Sequence, residues 1–264
     1  MDKTYKGYKF FYTNGSSHTK GGGLEEPEIR PGWNCIDEYQ KKYGVSWKNR
    51  DEVNWATRLS ERLGIKVYNE SECGGGTYRA IRMAYNFIDR YTNDIGNFFI
   101  VLELPCLSRL DVYYRPKNKY YIVNTHKEDQ LLWATQHYYP RRKEDDDEQI
   151  DFKKYVDFHV DWDNLNDNYW YTIIGFYCYC KRRGIPIKLL NAIGVERFRS
   201  MFDDTDLVSA DGRLQDTFHW SVDNKCLIWD EIDNVEDGHP GYFGHLKYAE
   251  FLHNWLEVNL EQKN

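Results

Sequence analysis

Residues Phe98 to Leu104 read FFIVLEL, and no other stretch limits the fold as tightly. A run this apolar, without alternating polar positions, suits a strand covered on both faces, as in the middle of a parallel sheet with helices above and below. Pro105 stops it. The flanking chain alternates between short apolar runs and helical spacing. Tyr8 to Tyr12 (YKFFY) reads as a first strand, and Ile65 to Tyr68 (IKVY) as a second. Between them Val53, Ala56, Leu59 and Leu63 recur at the spacing of one buried helical face, which Gly64 is placed to end. Ile81, Tyr85, Phe87 and Ile88 mark a further helix. A third helix is expected from about Asn168 to Arg183, followed by Gly184 and the strand Ile185 to Leu190. Tyr248, Phe251, Leu252, Trp255 and Leu256 give an amphipathic C-terminal helix. Strand and helix in alternation predict an α/β chain.

At 264 residues there is room for one large α/β domain or two small ones, and no linker forces a split. A hydrophobic share of 41% with 29% charged residues excludes a wholly disordered chain. The net charge of −7 argues against a surface that coats nucleic acid. No stretch approaches the roughly 20 apolar residues of a membrane span, and the opening MDKTYKGYKFF lacks the apolar segment of a signal peptide. A soluble, cytoplasmic protein with no membrane partner is expected. The six cysteines are scattered without a CxxC pair, so neither a zinc site nor a disulfide scaffold is signalled. Cys178 and Cys180 read as free thiols. No cofactor motif is present either, since GxxxxGK[ST] is absent.

Tyr113 to Asp167 forms an insertion rich in Tyr, Trp and His, a candidate lid. Its charge run RRKEDDDEQ reads as a solvated segment, and His126, His137 and His159 as surface residues. Arg109 and Asp111 fall just past the third strand end, as a salt bridge or a ligand contact.

Three loops carry chemistry. NGSSHTKGGGL, Asn14 to Leu24, places serine hydroxyls in a glycine-rich turn after the first strand, and open α/β sheets bind ligands at such strand ends. Asn69 and the loop ESECGGGTYR put Gly74, Gly75 and Gly76 at the end of the second strand, where backbone N–H groups can face a ligand. EDGHPGYFGH, Glu236 to His245, holds a histidine between Gly and Pro beside carboxylates, the parts of a general base with an orienting acid. His239, His245 and Asp237 also count as conceivable metal ligands, but without HExxH spacing, and no metal is expected.

GSSHT, Asn69 with its glycine turn, and DGHPGYFGH, in that order over nearly the whole chain, resemble the SGNH/GDSL hydrolase superfamily. The resemblance implies a three-layer α/β/α sandwich, with a mostly parallel, flavodoxin-like sheet of five strands forming a single domain. It implies Ser17 as nucleophile, with Ser16 in the place usually held by Asp, His239 as base and Asp237 as its carboxylate partner. Gly74 or Gly75, with Thr77, would line the oxyanion site. The expected function is a serine esterase working through an acyl-enzyme on a small-molecule or glycan ester, such as a carbohydrate O-deacetylase. Short members of this type occur in phage and other viral genomes, so a viral origin is part of the expectation. Two departures stand out. The third family block, G-x-N-D, corresponds here to ELPCLSR, which has no Asn. The acid lies two residues before His239 rather than three, where Glu236 stands. A degenerate binding or structural protein and an O-acyltransferase therefore remain the alternatives. Oligomeric state is not legible.

Overall fold

The computed structural model describes residues 4–21, 24, 44, 49–72, 75–104, 109–114, 119–124, 162–190, 195–207 and 242–262. Six strands and five helices fall within them: β1 (Phe10–Asn14), α1 (Ser17–Lys20), α2 (Trp55–Leu63), β2 (Lys66–Asn69), α3 (Thr77–Arg90), β3 (Phe98–Glu103), β4 (Arg109–Tyr114), β5 (Lys119–Asn124), α4 (Trp162–Arg182), β6 (Ile187–Leu190) and α5 (Tyr242–Asn259).

β2, β1, β3 and β6 hydrogen-bond in that order, every pair parallel. Alternate residues of the central strands serve opposite cores, because side chains leave a strand on alternating faces. Phe10 and Tyr12 of β1, Phe98, Ile100 and Leu102 of β3, and Ile187 and Leu189 of β6 pack with α3 and α4. Phe11, Phe99, Val101 and Leu190 pack with α2 and α5. The sheet thus lies between two helical layers, the three-layer α/β/α arrangement expected, and all six residues of β3 are buried.

The sheet has four strands among the described residues where five are expected. A single parallel bridge joins Leu207 to Leu189. Since β3 occupies one edge of β6, this bridge lies on the other edge, the place of a fifth strand. Arg109 and Asp111, expected in a loop, lie instead in β4, which pairs antiparallel with β5 as a separate two-stranded sheet. This hairpin takes up the start of the expected insertion, and the rest of it, 125–161, lies outside the described residues. α4 begins at Trp162, earlier than the periodicity suggested.

Local chemistry explains the boundaries. The Asn54 side chain caps α2 by accepting the Thr57 N–H at 2.9 Å, and Gly64, at φ 67°, ends it. On α4 the Cys178 thiol is exposed and the Cys180 thiol buried, and burial pushes the latter well above the ordinary thiol range. Among the described residues, no helix is long and apolar enough to cross a membrane.

Candidate functional site

The strand order fixes where a site belongs. From β1 the chain moves out to β2, then returns to β3 on the opposite side of β1. The connections therefore diverge between the carboxyl ends of β1 and β3, and that crevice is where open α/β sheets take ligands. Asn14, Gly15 and Ser16 flank it from β1, and Glu103 and Leu104 flank it from β3, with Asn14 paired in register to Leu102.

The two sides are joined by one carboxylate. Glu103 is 2% exposed. Its Oε1 accepts the Ser16 hydroxyl at 2.8 Å and its Oε2 accepts the Ser16 N–H at 3.0 Å. The Thr19 hydroxyl donates to the same Oε2. Gly15 is required by this closeness: a Cβ there would stand 2.3 Å from Glu103 Oε2 and 2.8 Å from Thr19 Oγ1. The Gly15 N–H is held by Asn14 Oδ1 at 2.8 Å, and Lys20 N–H closes α1 onto the Ser16 carbonyl at 3.0 Å.

The second glycine turn packs directly on the first. A Cβ on Gly75 would lie 2.8 Å from the Gly15 carbonyl and 2.9 Å from that of Glu72. Only glycine lets the backbones meet this closely. Asn69 stitches the turns together, its Nδ2 donating to the Thr19 carbonyl at 3.2 Å while its Oδ1 accepts the Ser71 N–H at 3.1 Å and the Ser71 hydroxyl. Arg79, in the first turn of α3, reaches Asn14 Oδ1 at 3.3 Å and the Glu70 carbonyl at 3.1 Å. Below them the Tyr12 hydroxyl accepts from Asn14 Nδ2 at 2.8 Å, and burial raises its pKa far beyond the usual phenol value.

The expected site residues fare differently. Ser17 opens α1 directly above the crevice, one residue beyond the Glu103 contact, and its side chain lies outside the described set. Gly75 is buried in the second turn, where its N–H donates to the Glu72 carbonyl at 2.8 Å. Thr77 starts α3 and its hydroxyl donates to the Tyr169 hydroxyl at 3.2 Å. Gly74, Glu236, Asp237 and His239 lie outside the described residues.

The helix that follows in sequence, α5, is described. His245 is fully buried, and its Nδ1 accepts the Trp55 N–H at 3.1 Å, tying the start of α5 to the start of α2. One turn further on, Tyr248 is fully buried. Burial, and secondarily the charge of Glu103, push its phenol well above the usual range.

Glu103 is the residue that sequence reasoning missed. Its signal was present: it is the one charged residue in an otherwise apolar run read as buried on both faces, and a buried carboxylate must find donors. Among the described residues, no group of three His, Cys, Asp or Glu side chains is placed to hold a metal ion.

No protein-family model matches the chain, and no curated protein does. Among solved structures it is similar to the psychrotrophic esterase EstA from Pseudoalteromonas sp., in a structure inhibited by monoethylphosphonate, at 12% identity over 95% of this chain and 97% of that one, with a TM-score of 0.35. It is also similar to LAE5, an α/β hydrolase enzyme from the metagenome of Lake Arreo, Spain, at 12% identity over 97% of both chains, with a TM-score of 0.33. At such scores neither likeness carries an argument about the chemistry of this chain.

Proposed function

We propose that the chain is a serine ester hydrolase of the SGNH/GDSL type, with Ser17 as nucleophile, His239 as general base and Asp237 orienting the imidazole. The observation that carries the reading is the junction of two glycine turns at the crevice between β1 and β3, with Gly75 packed on the Gly15 carbonyl and Ser17 two residues further along. A nucleophile at that point stands near the backbone of a second turn, from which acyl transfer could draw N–H donors.

In this mechanism the Ser17 oxygen attacks the ester carbonyl as its proton passes to His239. The tetrahedral oxyanion is held by N–H groups of Ser17 and of the turn Gly74 to Thr77. The intermediate collapses to an acyl-enzyme, and the departing alkoxide takes the proton from His239. Water, deprotonated by the same imidazole, then releases the acid. An O-acetylated glycan is the substrate class we favour, with the aromatic insertion beyond β5 shaping specificity.

A second reading, a protein that has kept the fold without the chemistry, draws on two observations. The end of β3 supplies a carboxylate, Glu103, instead of an amide donor, and the Gly75 N–H is engaged within its own turn. One experiment separates them. Hydrolysis of p-nitrophenyl acetate and labelling by a fluorophosphonate, both lost in Ser17→Ala with the fold intact, support the hydrolase. Loss of about three orders of magnitude or more is expected, as for removal of a serine nucleophile elsewhere. No reaction by the wild type supports the binding protein.

A further inference from the structure

We propose that Glu103 is a positioning residue for the nucleophile: its carboxylate clamps the turn on both sides of Ser17, and so sets the direction in which that serine is presented to the crevice. The role rests on the hydrolase reading above, but the argument for it is geometric.

Three donors converge on one side chain, the Ser16 N–H at 3.0 Å, the Ser16 hydroxyl at 2.8 Å and the Thr19 hydroxyl. Ser16 precedes Ser17 and Thr19 follows it by two, so the backbone of Ser17 and His18 is held from both sides by its neighbours. The clamp spans from β1 to β3, the two strands that diverge to open the crevice, so it fixes the turn relative to the sheet and not merely within itself. Its stiffness comes from burial. A carboxylate held by several donors in a low-dielectric setting keeps a narrower geometry than an exposed one.

The surroundings match this role. Gly15 has no room for a side chain because Oε2 and Cβ of Glu103 and the Thr19 hydroxyl occupy that space, so the motif's glycine and the Glu103 side chain on the neighbouring strand form one unit.

Fluorophosphonate labelling of Ser17 tests the proposal, with the maximal labelling rate and the half-saturating probe concentration measured separately. Glu103→Gln keeps the size but puts an amide donor where a hydroxyl or N–H now donates. The maximal rate should fall roughly 10- to 100-fold, the scale of a misplacement of about 1 Å. The half-saturating concentration should hold. Returning a carboxylate from the other side, in Ser16→Asp/Glu103→Gln, should recover most of the rate, because the donor and acceptor have only exchanged strands; simple loss of packing predicts no such rescue.

Labelling of Glu103→Gln at the wild-type maximal rate overturns the proposal and leaves the hydrolase reading standing. So does a lost rate that the double variant leaves unrecovered. Should Glu103→Gln fail to fold, Thr19→Val removes one donor with little change of shape: labelling several-fold slower supports the clamp, and an unchanged rate overturns it. A wild type that is not labelled at all overturns the hydrolase reading, and the positioning role with it.

Discussion

Two buried carboxylates in this molecule have opposite surroundings. Glu103, at the crevice, is held by an N–H and two hydroxyls from a single turn. Asp206, at the far edge of the sheet, is 4% exposed and accepts from Lys188 Nζ at 2.6 Å, Lys181 Nζ at 3.0 Å and the Tyr177 hydroxyl at 2.9 Å. Lys188 is itself buried in β6. It also donates to the carbonyls of Thr205 at 2.8 Å and Asn259 at 2.7 Å, and lies over the Trp255 ring. Burial lowers its pKa while Asp206 pulls it back up. The difference is one of purpose. Ammonium groups neutralise Asp206 and fasten α4, β6 and the end of α5 together. Hydroxyls and an amide aim Glu103 at a few atoms beside Ser17.

If this contrast is right, the two carboxylates will fail in different measurements. Asp206→Ala should be the most damaging to stability, since it strands the Lys188 ammonium in the interior; removing one partner of a buried pair costs about 3–5 kcal/mol. Urea unfolding should show this loss, while the rate of Ser17 labelling in the remaining folded protein stays unchanged. Equal damage to labelling would erase the distinction.

Gly15→Ala tests the other carboxylate from its neighbour. The added methyl falls 2.3 Å from Glu103 Oε2, and overpacking of this kind costs about 1–3 kcal/mol. Labelling should slow along with it. Glu103 Cβ would also lie 2.6 Å from that methyl, so only a Glu103→Gly background removes both atoms, and there the double variant should be less damaged than the sum of the single ones. Strict additivity would mean that the glycine is required for some other reason.

The smallest effect is expected from Lys6→Met. Lys6 Nζ donates to the carbonyls of Leu256 at 3.2 Å, Glu257 at 2.5 Å and Leu260 at 2.9 Å, the same end of α5 that Lys188 holds from inside. A cation at a helix carboxyl terminus contributes roughly 0.3–1 kcal/mol, weakened by salt. A loss in thermal unfolding that fades in high salt would place Lys6 with the exposed interactions. A loss that persists would place it with the buried pair.

Much of the fold was legible because burial leaves a periodic trace. The FFIVLEL run required covering on both faces, and β3 has it. Gly64 marked the end of α2, and the spacing of Leu59 and Leu63 marked its buried face. Boundaries were harder, because side-chain hydrogen bonds and not hydrophobicity set them. β1 therefore runs on to Asn14, past the aromatic run that announced it. β4 and β5 left no clear trace: a two-stranded antiparallel ribbon after a proline stop lacks a long apolar run. At the site, the glycine turns were visible as composition, but their contact through the Gly15 carbonyl was not, since it joins residues sixty positions apart.

By itself, then, the sequence determined the alternation of strand and helix, the central strand, and the serine turn at a strand end, all of which follow from local spacing and burial. Only the tertiary structure decided that the second turn packs on the first, that α5 is fastened to α2 through His245, and that Glu103 reaches under the serine turn. The physical reason is that a carboxylate's role is set by which donors surround it. Those donors come from the turn after β1, 87 and 84 positions away in the chain, and the order of the sheet is what brings that turn beside β3.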